Sequence, residues 1–327
     1  MSDVMIAFDN VEKRYGATVA LRKLSLWVNR GEMFGLIGPD GAGKTTTIRL
    51  ACGLVRPDAG TVRVTGCDPV REHRAITRAV GYLSQRFSLY GDLSVDENLA
   101  FFAEIHGVGD YTSMRERLLE ITHLTPFRAY LADKLSGGMK QKLALACTLV
   151  HEPELLILDE PTTGVDPVSR REFWKLLSEF LSHGITIVMA TPYLDEAERC
   201  ARVALLHEGQ ALAIDTPGSL RSTLPGQVIE IVAEPHDRAA AVLSGAAYVD
   251  DVQRFGERVH VRLASAAPVD VLDRLRGALG DAAVRTTSLR LIATSLEDVF
   301  IARIRATPPA AGARVGPSPL AEKRPER

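Results

Sequence analysis

Two short stretches of the sequence hold residue types that do chemistry in concert. The first, Gly38-Pro39-Asp40-Gly41-Ala42-Gly43-Lys44-Thr45, sets glycines ahead of a lysine and a hydroxyl. Glycines let a backbone wrap an anion with its N–H groups turned inward, and a helix starting at the end of the loop adds a partial positive charge. A polyphosphate fits such a cradle: Lys44 can reach β- and γ-phosphate oxygens, and Thr45 can offer its hydroxyl to Mg2+. The second stretch, Asp159-Glu160, delivers adjacent carboxylates. Asp159 would hold Mg2+ through its hydration shell, while Glu160, one residue farther on, would polarise the water that attacks a γ-phosphate.

These groups need rigid elements behind them. Residues 33–37, Met-Phe-Gly-Leu-Ile, read as a buried strand that runs straight into the glycine loop, and residues 46–54 read as the helix that follows. Residues 155–158, Leu-Leu-Ile-Leu, form an apolar run too short for a helix, so a second buried strand brings in the carboxylates. Strand-like and helical patterns alternate from about residue 4 to 220, which predicts an α/β fold.

Just before the second strand stands Leu135-Ser136-Gly137-Gly138-Met139-Lys140-Gln141, leading into a helical run at 142–150. It resembles the signature sequence of the ATP-binding cassette (ABC) ATPases, and the match extends over residues 1–222. The resemblance implies a P-loop NTPase (ABC ATPase) domain with a helical subdomain at about 93–147, where Val95-Asp96-Glu97-Asn98-Leu99 opens an apolar-striped helix. Ser136 and the N–H groups of Gly137 and Gly138 make a second anion site at a helix N-terminus. In the family it clamps the ATP held by the glycine loop of an opposing subunit, here Gly38, Asp40, Gly41, Ala42, Gly43, Lys44, Thr45 and Thr46. A head-to-tail dimer, as homodimer or heterodimer of cassettes, is therefore implied.

The same resemblance implies further roles. Tyr15, in Lys13-Arg14-Tyr15-Gly16, stands where the family has the aromatic that stacks on adenine. Gln85, in Tyr82-Leu83-Ser84-Gln85, corresponds to the glutamine that touches Mg2+ and the attacking water and moves with a membrane partner. Asp166, in Gly164-Val165-Asp166-Pro167, corresponds to the aspartate that couples the two sites across the dimer. Catalysis would rest on Glu160, Lys44 and Gln85, with ATP and Mg2+ as cofactors and Thr45, Gln85 and Asp159 as metal contacts. Two positions depart from the family pattern. Asp40 replaces the usual asparagine and sets a carboxylate near phosphates. After the strand at 185–190 the usual Thr-His is Thr191-Pro192-Tyr193; Pro192 has no side-chain donor for a γ-phosphate, which bears on hydrolytic rate and not on ATP binding.

Leu194-Asp195-Glu196-Ala197-Glu198-Arg199 and Thr294-Ser295-Leu296-Glu297-Asp298-Val299-Phe300 resemble subunits of the multidrug and antibiotic-resistance exporters, which work with a separate integral-membrane permease. The second string also reads simply as an amphipathic helix packing on a small C-terminal domain. Soluble cassette ATPases of translation or DNA repair usually carry two cassettes or a long coiled coil, and neither is present. A non-hydrolysing nucleotide sensor is the other alternative, with Pro192 as its mark.

Beyond residue 225 the chain turns to short Ala- and Val-rich elements. Strands at 228–232, 248–252, 259–263 and 284–291, with helices at 237–243 and 269–279, predict an α+β, ferredoxin-like domain at 226–304. Residues 307–327, with five prolines, are expected to be disordered. A formal net charge of -2 with 24% charged residues gives no electrostatic footprint for nucleic acid. No apolar run reaches the ~20 residues of a spanning helix, and the N-terminus lacks a signal-peptide pattern, so the expected place is bacterial-type cytoplasm, peripheral on the cytoplasmic face of the cell membrane. Cys52, Cys67, Cys147 and Cys200 lack metal or disulfide spacing and are expected to be reduced structural thiols.

Overall fold

The structure is a computed structural model that describes residues 4–85, 89–264 and 267–306; the tail expected to be disordered, 307–327, lies outside the described residues. At its centre is a six-stranded sheet in the order Val80–Leu83, Leu155–Asp159, Thr186–Thr191, Met33–Ile37, Arg202–His207, Gln210–Asp215. The first five strands are parallel and the last pairs antiparallel. Strands covered on both faces read as continuous apolar runs because alternate side chains enter different cores. Leu156, Leu158, Ile187 and Met189 join one core, and Leu155, Ile157, Val188 and Ala190 the other.

The first core is capped by helices Val95–Ile105, Thr112–Ile121, Gly137–Leu149 and Pro167–Ser182. Ser94 and Glu97 close a capping box on the first of these, the Ser94 hydroxyl accepting from Glu97 N–H and the Glu97 carboxylate from Ser94 N–H. The second core lies between the central sheet and a three-stranded antiparallel sheet, Thr18–Asn29, Val4–Tyr15, Ala59–Val64, with helix Lys44–Ala51 inside it. All the parallel strands therefore end on one rim of the sheet, the place where α/β sheets bind ligands.

Residues 228–292 form a four-stranded antiparallel sheet in the order Val249–Phe255, Arg258–Leu263, Val228–Glu234, Arg285–Ile292. Helices His236–Ser244 and Val271–Asp281 cover one face around a separate core. The last helix, Leu296–Ala306, does not join that core. Its Leu296, Val299 and Phe300 belong to the first core together with Leu205 and Leu220, while its polar side chains reach the small sheet: the Asp298 carboxylate meets His260 Nδ1 at 3.0 Å and Arg305 pairs with Asp251. The apolar face of this helix goes to the larger available core, so the segment expected at 226–304 divides between two packing units.

Candidate functional site

The strand Met33–Ile37 ends in the glycine loop, and helix Lys44–Ala51 begins at its far end. Gly43 caps that helix at φ 102°, a left-handed conformation that disfavours any side chain; a Cβ there would also lie 2.7 Å from Leu21 Cδ2. Lys44 is only 4% exposed. Its ammonium curls back over the loop, donating to the carbonyls of Gly38 at 2.8 Å and Pro39 at 3.1 Å, and lies 3.6 Å from Glu160 Oε1. The lysine thus holds the loop open as a ring of backbone. Asp40 and Gly41 are exposed, Ala42 is buried and Thr46 is partly buried.

The neighbouring strand Leu155–Asp159 delivers the carboxylates. Thr45 Oγ1 donates to Asp159 Oδ1 at 3.1 Å. Burial, at 1% exposure, pushes the Asp159 carboxyl above its ordinary range; the Thr45 hydrogen bond and the Lys44 and Arg49 charges act downward, and the Glu160 charge adds to the rise. Glu160 adopts φ 50°, rare for a residue with a side chain, while its N–H donates to Ala190 O at 2.9 Å. Gln85 Nε2 donates to Glu160 Oε2 at 3.0 Å. Lys44, Thr45, Gln85, Asp159 and Glu160, far apart in the chain, thus form one cluster at the rim.

The other candidates stand apart from it. Ser136 caps helix Gly137–Leu149, accepting from Met139 N–H at 3.3 Å, and Ser136 and Gly137 are exposed. Gly138 is buried against the adjoining helix, so close that a Cβ there would fall 2.2 Å from Ser169 Oγ. Asp166 is the exposed cap of helix Pro167–Ser182, accepting from Val168 and Ser169 N–H at 3.0 Å; the Ser169 side chain first, and then these two N–H groups, hold its carboxyl below the usual range. Tyr15 is 44% exposed on the hairpin between Val4–Tyr15 and Thr18–Asn29, with Lys13 Nζ 5.6 Å from its ring centroid. Among the described residues no hydrogen bond joins Ser136, Asp166 or Tyr15 to the cluster. Tyr193, beside Pro192, sits under the Arg170 guanidinium at 5.1 Å.

Sequence reasoning missed one part of the site. Glu196, 1% exposed, accepts from Thr162 Oγ1 at 2.5 Å and Thr191 Oγ1 at 2.6 Å. An acidic residue in the short helix Leu194–Ala197, three residues past the stretch where the pattern departs from Thr-His, was the available signal.

A glycine loop between a parallel strand and a helix, facing two carboxylates from the adjacent strand, defines a P-loop nucleotide-binding cassette. Residues 21–163 match the family described as ABC transporter. The chain is 41% identical over 308 residues to a protein of Escherichia coli (strain K12) named as a probable multidrug ABC transporter ATP-binding protein, YbhF, covering 92% of this chain and 52% of that one. It is 36% identical over 307 residues to the daunorubicin resistance ATP-binding protein DrrA3 of Streptomyces coeruleorubidus, covering 92% and 96%. The chain thus spans about half the length of the first relative and nearly all of the second. Among solved structures, cbiO1 from Clostridium perfringens, described as part of the transporter complex cbiONQ, superposes with a TM-score of 0.62 at 28% identity, over 68% of this chain and 92% of that one. The chain belongs to the ATP-binding proteins of ABC transporters.

Proposed function

We propose that this chain is the ATP-hydrolysing subunit of an ABC exporter, working as a head-to-tail dimer docked on a separate integral-membrane permease. The observation that carries the reading is the clustering of Lys44, Thr45, Gln85, Asp159 and Glu160 on one rim. Thr45, Asp159 and Gln85 offer a hydroxyl, a carboxylate and an amide oxygen, the hard donors that Mg2+ prefers, and the ion supplies charge neutralisation on the phosphates. The water oxygen attacks the γ-phosphorus, the bond to the β,γ-bridging oxygen breaks and ADP leaves; Glu160 takes the water's proton and Gln85 holds Glu160 in line. Lys44 faces the charge that develops on the γ-phosphoryl oxygens.

Ser136 and Gly137 are exposed at a helix start and away from the chain's own cluster, an arrangement suited to clamp the nucleotide of a second cassette. Asp166 and Tyr15 serve that interface and the adenine. The permease docks beside Tyr82, three residues before Gln85, in a cleft of about 260 Å³ lined by Cys52, Leu54, Tyr82, Phe102, His106 and His151. No helix among the described residues is long and apolar enough to cross a membrane; in this reading the permease carries the cargo across, and the chain acts at the cytoplasmic face of the membrane. Residues 1–222 form the motor, and 226–292 an appended domain.

Steady-state Mg-ATP turnover against protein concentration tests this reading. Turnover rising more than proportionally with concentration, and lost in Lys44→Ala and Glu160→Gln, supports it. ATP binding with no turnover at any concentration favours the nucleotide-sensor reading, to which Pro192 lends its missing side-chain donor. Recovery of a membrane protein with the chain from native membranes tests the partner.

A further inference from the structure

The carboxylate of Glu196 is almost wholly buried, yet among the described residues it forms no ion pair; its oxygens are served by the hydroxyls of Thr162 and Thr191 alone. A buried carboxylate with two neutral donors is costly to keep and is replaceable by apolar packing unless its hydrogen bonds are needed. Its partners show where they are needed. Thr162 lies two residues past Glu160, on the segment that turns away from the strand. Thr191 ends the strand Thr186–Thr191 immediately before Pro192, and its hydroxyl also accepts from Tyr193 N–H at 3.1 Å. Glu196 therefore ties the Glu160 segment to the Pro192 segment, one hydroxyl on each.

Glu160 is a residue that needs such a tie. Its φ of 50° is strained for a residue with a side chain and persists only where the surroundings over-determine it. Ahead of Thr162 it is held by its N–H on Ala190 O. Behind, Thr163 N–H returns to Glu160 O at 3.3 Å and Val165 N–H to Thr162 O at 3.1 Å, so the turn is anchored to the sheet through Thr162 and Glu196.

We infer that Glu196 is a positioning residue for ATP hydrolysis: by bridging Thr162 and Thr191 it fixes Glu160 against the attacking water and sets the place of the Pro192 backbone, which lacks a histidine side chain to order it. The inference rests on the hydrolase reading of the site.

Thr162→Val removes one hydroxyl at nearly constant volume, whereas Thr162→Ser keeps it. Thr162→Val is expected to lower kcat by about ten- to hundredfold, the scale of a small misplacement of a catalytic group, with KM and the Kd of a fluorescent ATP analogue little changed. Thr162→Ser recovers most of the lost kcat. Glu196→Gln serves only one of the two hydroxyls as acceptor and falls between. The double variant Thr162→Val/Glu196→Gln loses no more than the worse single one, because both break the same contact. Parental kcat in Thr162→Val, or failure of Thr162→Ser to recover it, overturns the inference, as does a loss shared equally by kcat and ATP affinity. A parent chain that binds ATP without Glu160-dependent turnover overturns the hydrolase reading instead.

Discussion

Replacing Lys44 with alanine separates what the lysine does for the loop from what it does for a nucleotide. The ammonium makes two hydrogen bonds to loop carbonyls, at 2.8 and 3.1 Å, and lies 3.6 Å from a Glu160 oxygen. At an effective dielectric of about 20 the ion pair has a gross attraction of roughly 5 kcal/mol, and the charge-assisted bonds contribute about 1.5–3 kcal/mol each. Against these stands the several kcal/mol needed to bury an ammonium. The net is the difference of large opposing terms, so Lys44→Ala should lower the melting temperature measured without nucleotide while leaving the chain folded. Binding is another matter. An ammonium has three N–H groups, and two are spent on Gly38 and Pro39. The third, now facing Glu160, is the one free to exchange a carboxylate for a phosphate. One charge-assisted bond at about 1.5–3 kcal/mol corresponds to a tenfold to roughly hundredfold rise in the Kd for ATP. Thermal melts with and without nucleotide, and titration with a fluorescent ATP analogue, read the two effects apart. Affinity within twofold of the parent would refute the phosphate role, and a collapse of the nucleotide-free fold would show that Lys44 is chiefly a structural residue.

Glu160→Gln keeps the shape and removes the base: ATP affinity should stay near the parental value while phosphate release slows by about 10²–10⁴, and turnover close to the parent's would remove Glu160 from that role. For Asp159 the carboxyl is raised by burial and, in smaller part, by Glu160, so without bound nucleotide its ionised form destabilises the fold above the raised value, and the penalty disappears below the ordinary value of 3.8. Asp159→Asn should therefore melt higher than the parent at pH 7 to 8, the gap closing as pH falls toward the ordinary carboxylate range, and should lose the Mg2+-dependent part of nucleotide stabilisation; an unchanged or widening gap on acidification contradicts the burial argument. Leu296→Ala should cost about 2–5 kcal/mol in the unfolding of the nucleotide-binding core, although residue 296 lies beyond the small sheet; differential scanning calorimetry that shows only a small-domain transition moving would refute the packing described for the last helix.

What could be read in the sequence was what depends on neighbours along the chain. The glycine loop and the two buried strands beside it announce themselves because each is a run of unusual composition with a function of its own. Even there, local reasoning placed the signature helix at 142–150, whereas it begins at Gly137: glycine is a poor helix former, but the Ser136 cap and the close approach of Ser169 to Gly138 outweigh that. The last helix shows the next limit. Its amphipathic pattern requires an apolar partner but does not say which of two cores supplies it, and the choice of Leu205 and Leu220 follows from how strands distant in sequence assemble. Glu196 is the extreme case. Nothing within a few residues distinguishes it from the exposed Asp195 and Glu198; its meaning comes from a hydroxyl 34 residues away, brought near only after the strands carrying Glu160 and Thr191 have paired. Residues that bind a ligand must match the chemistry of that ligand, and this leaves a local mark. Residues that hold the binding groups in place need only match each other, so their mark lies in the fold.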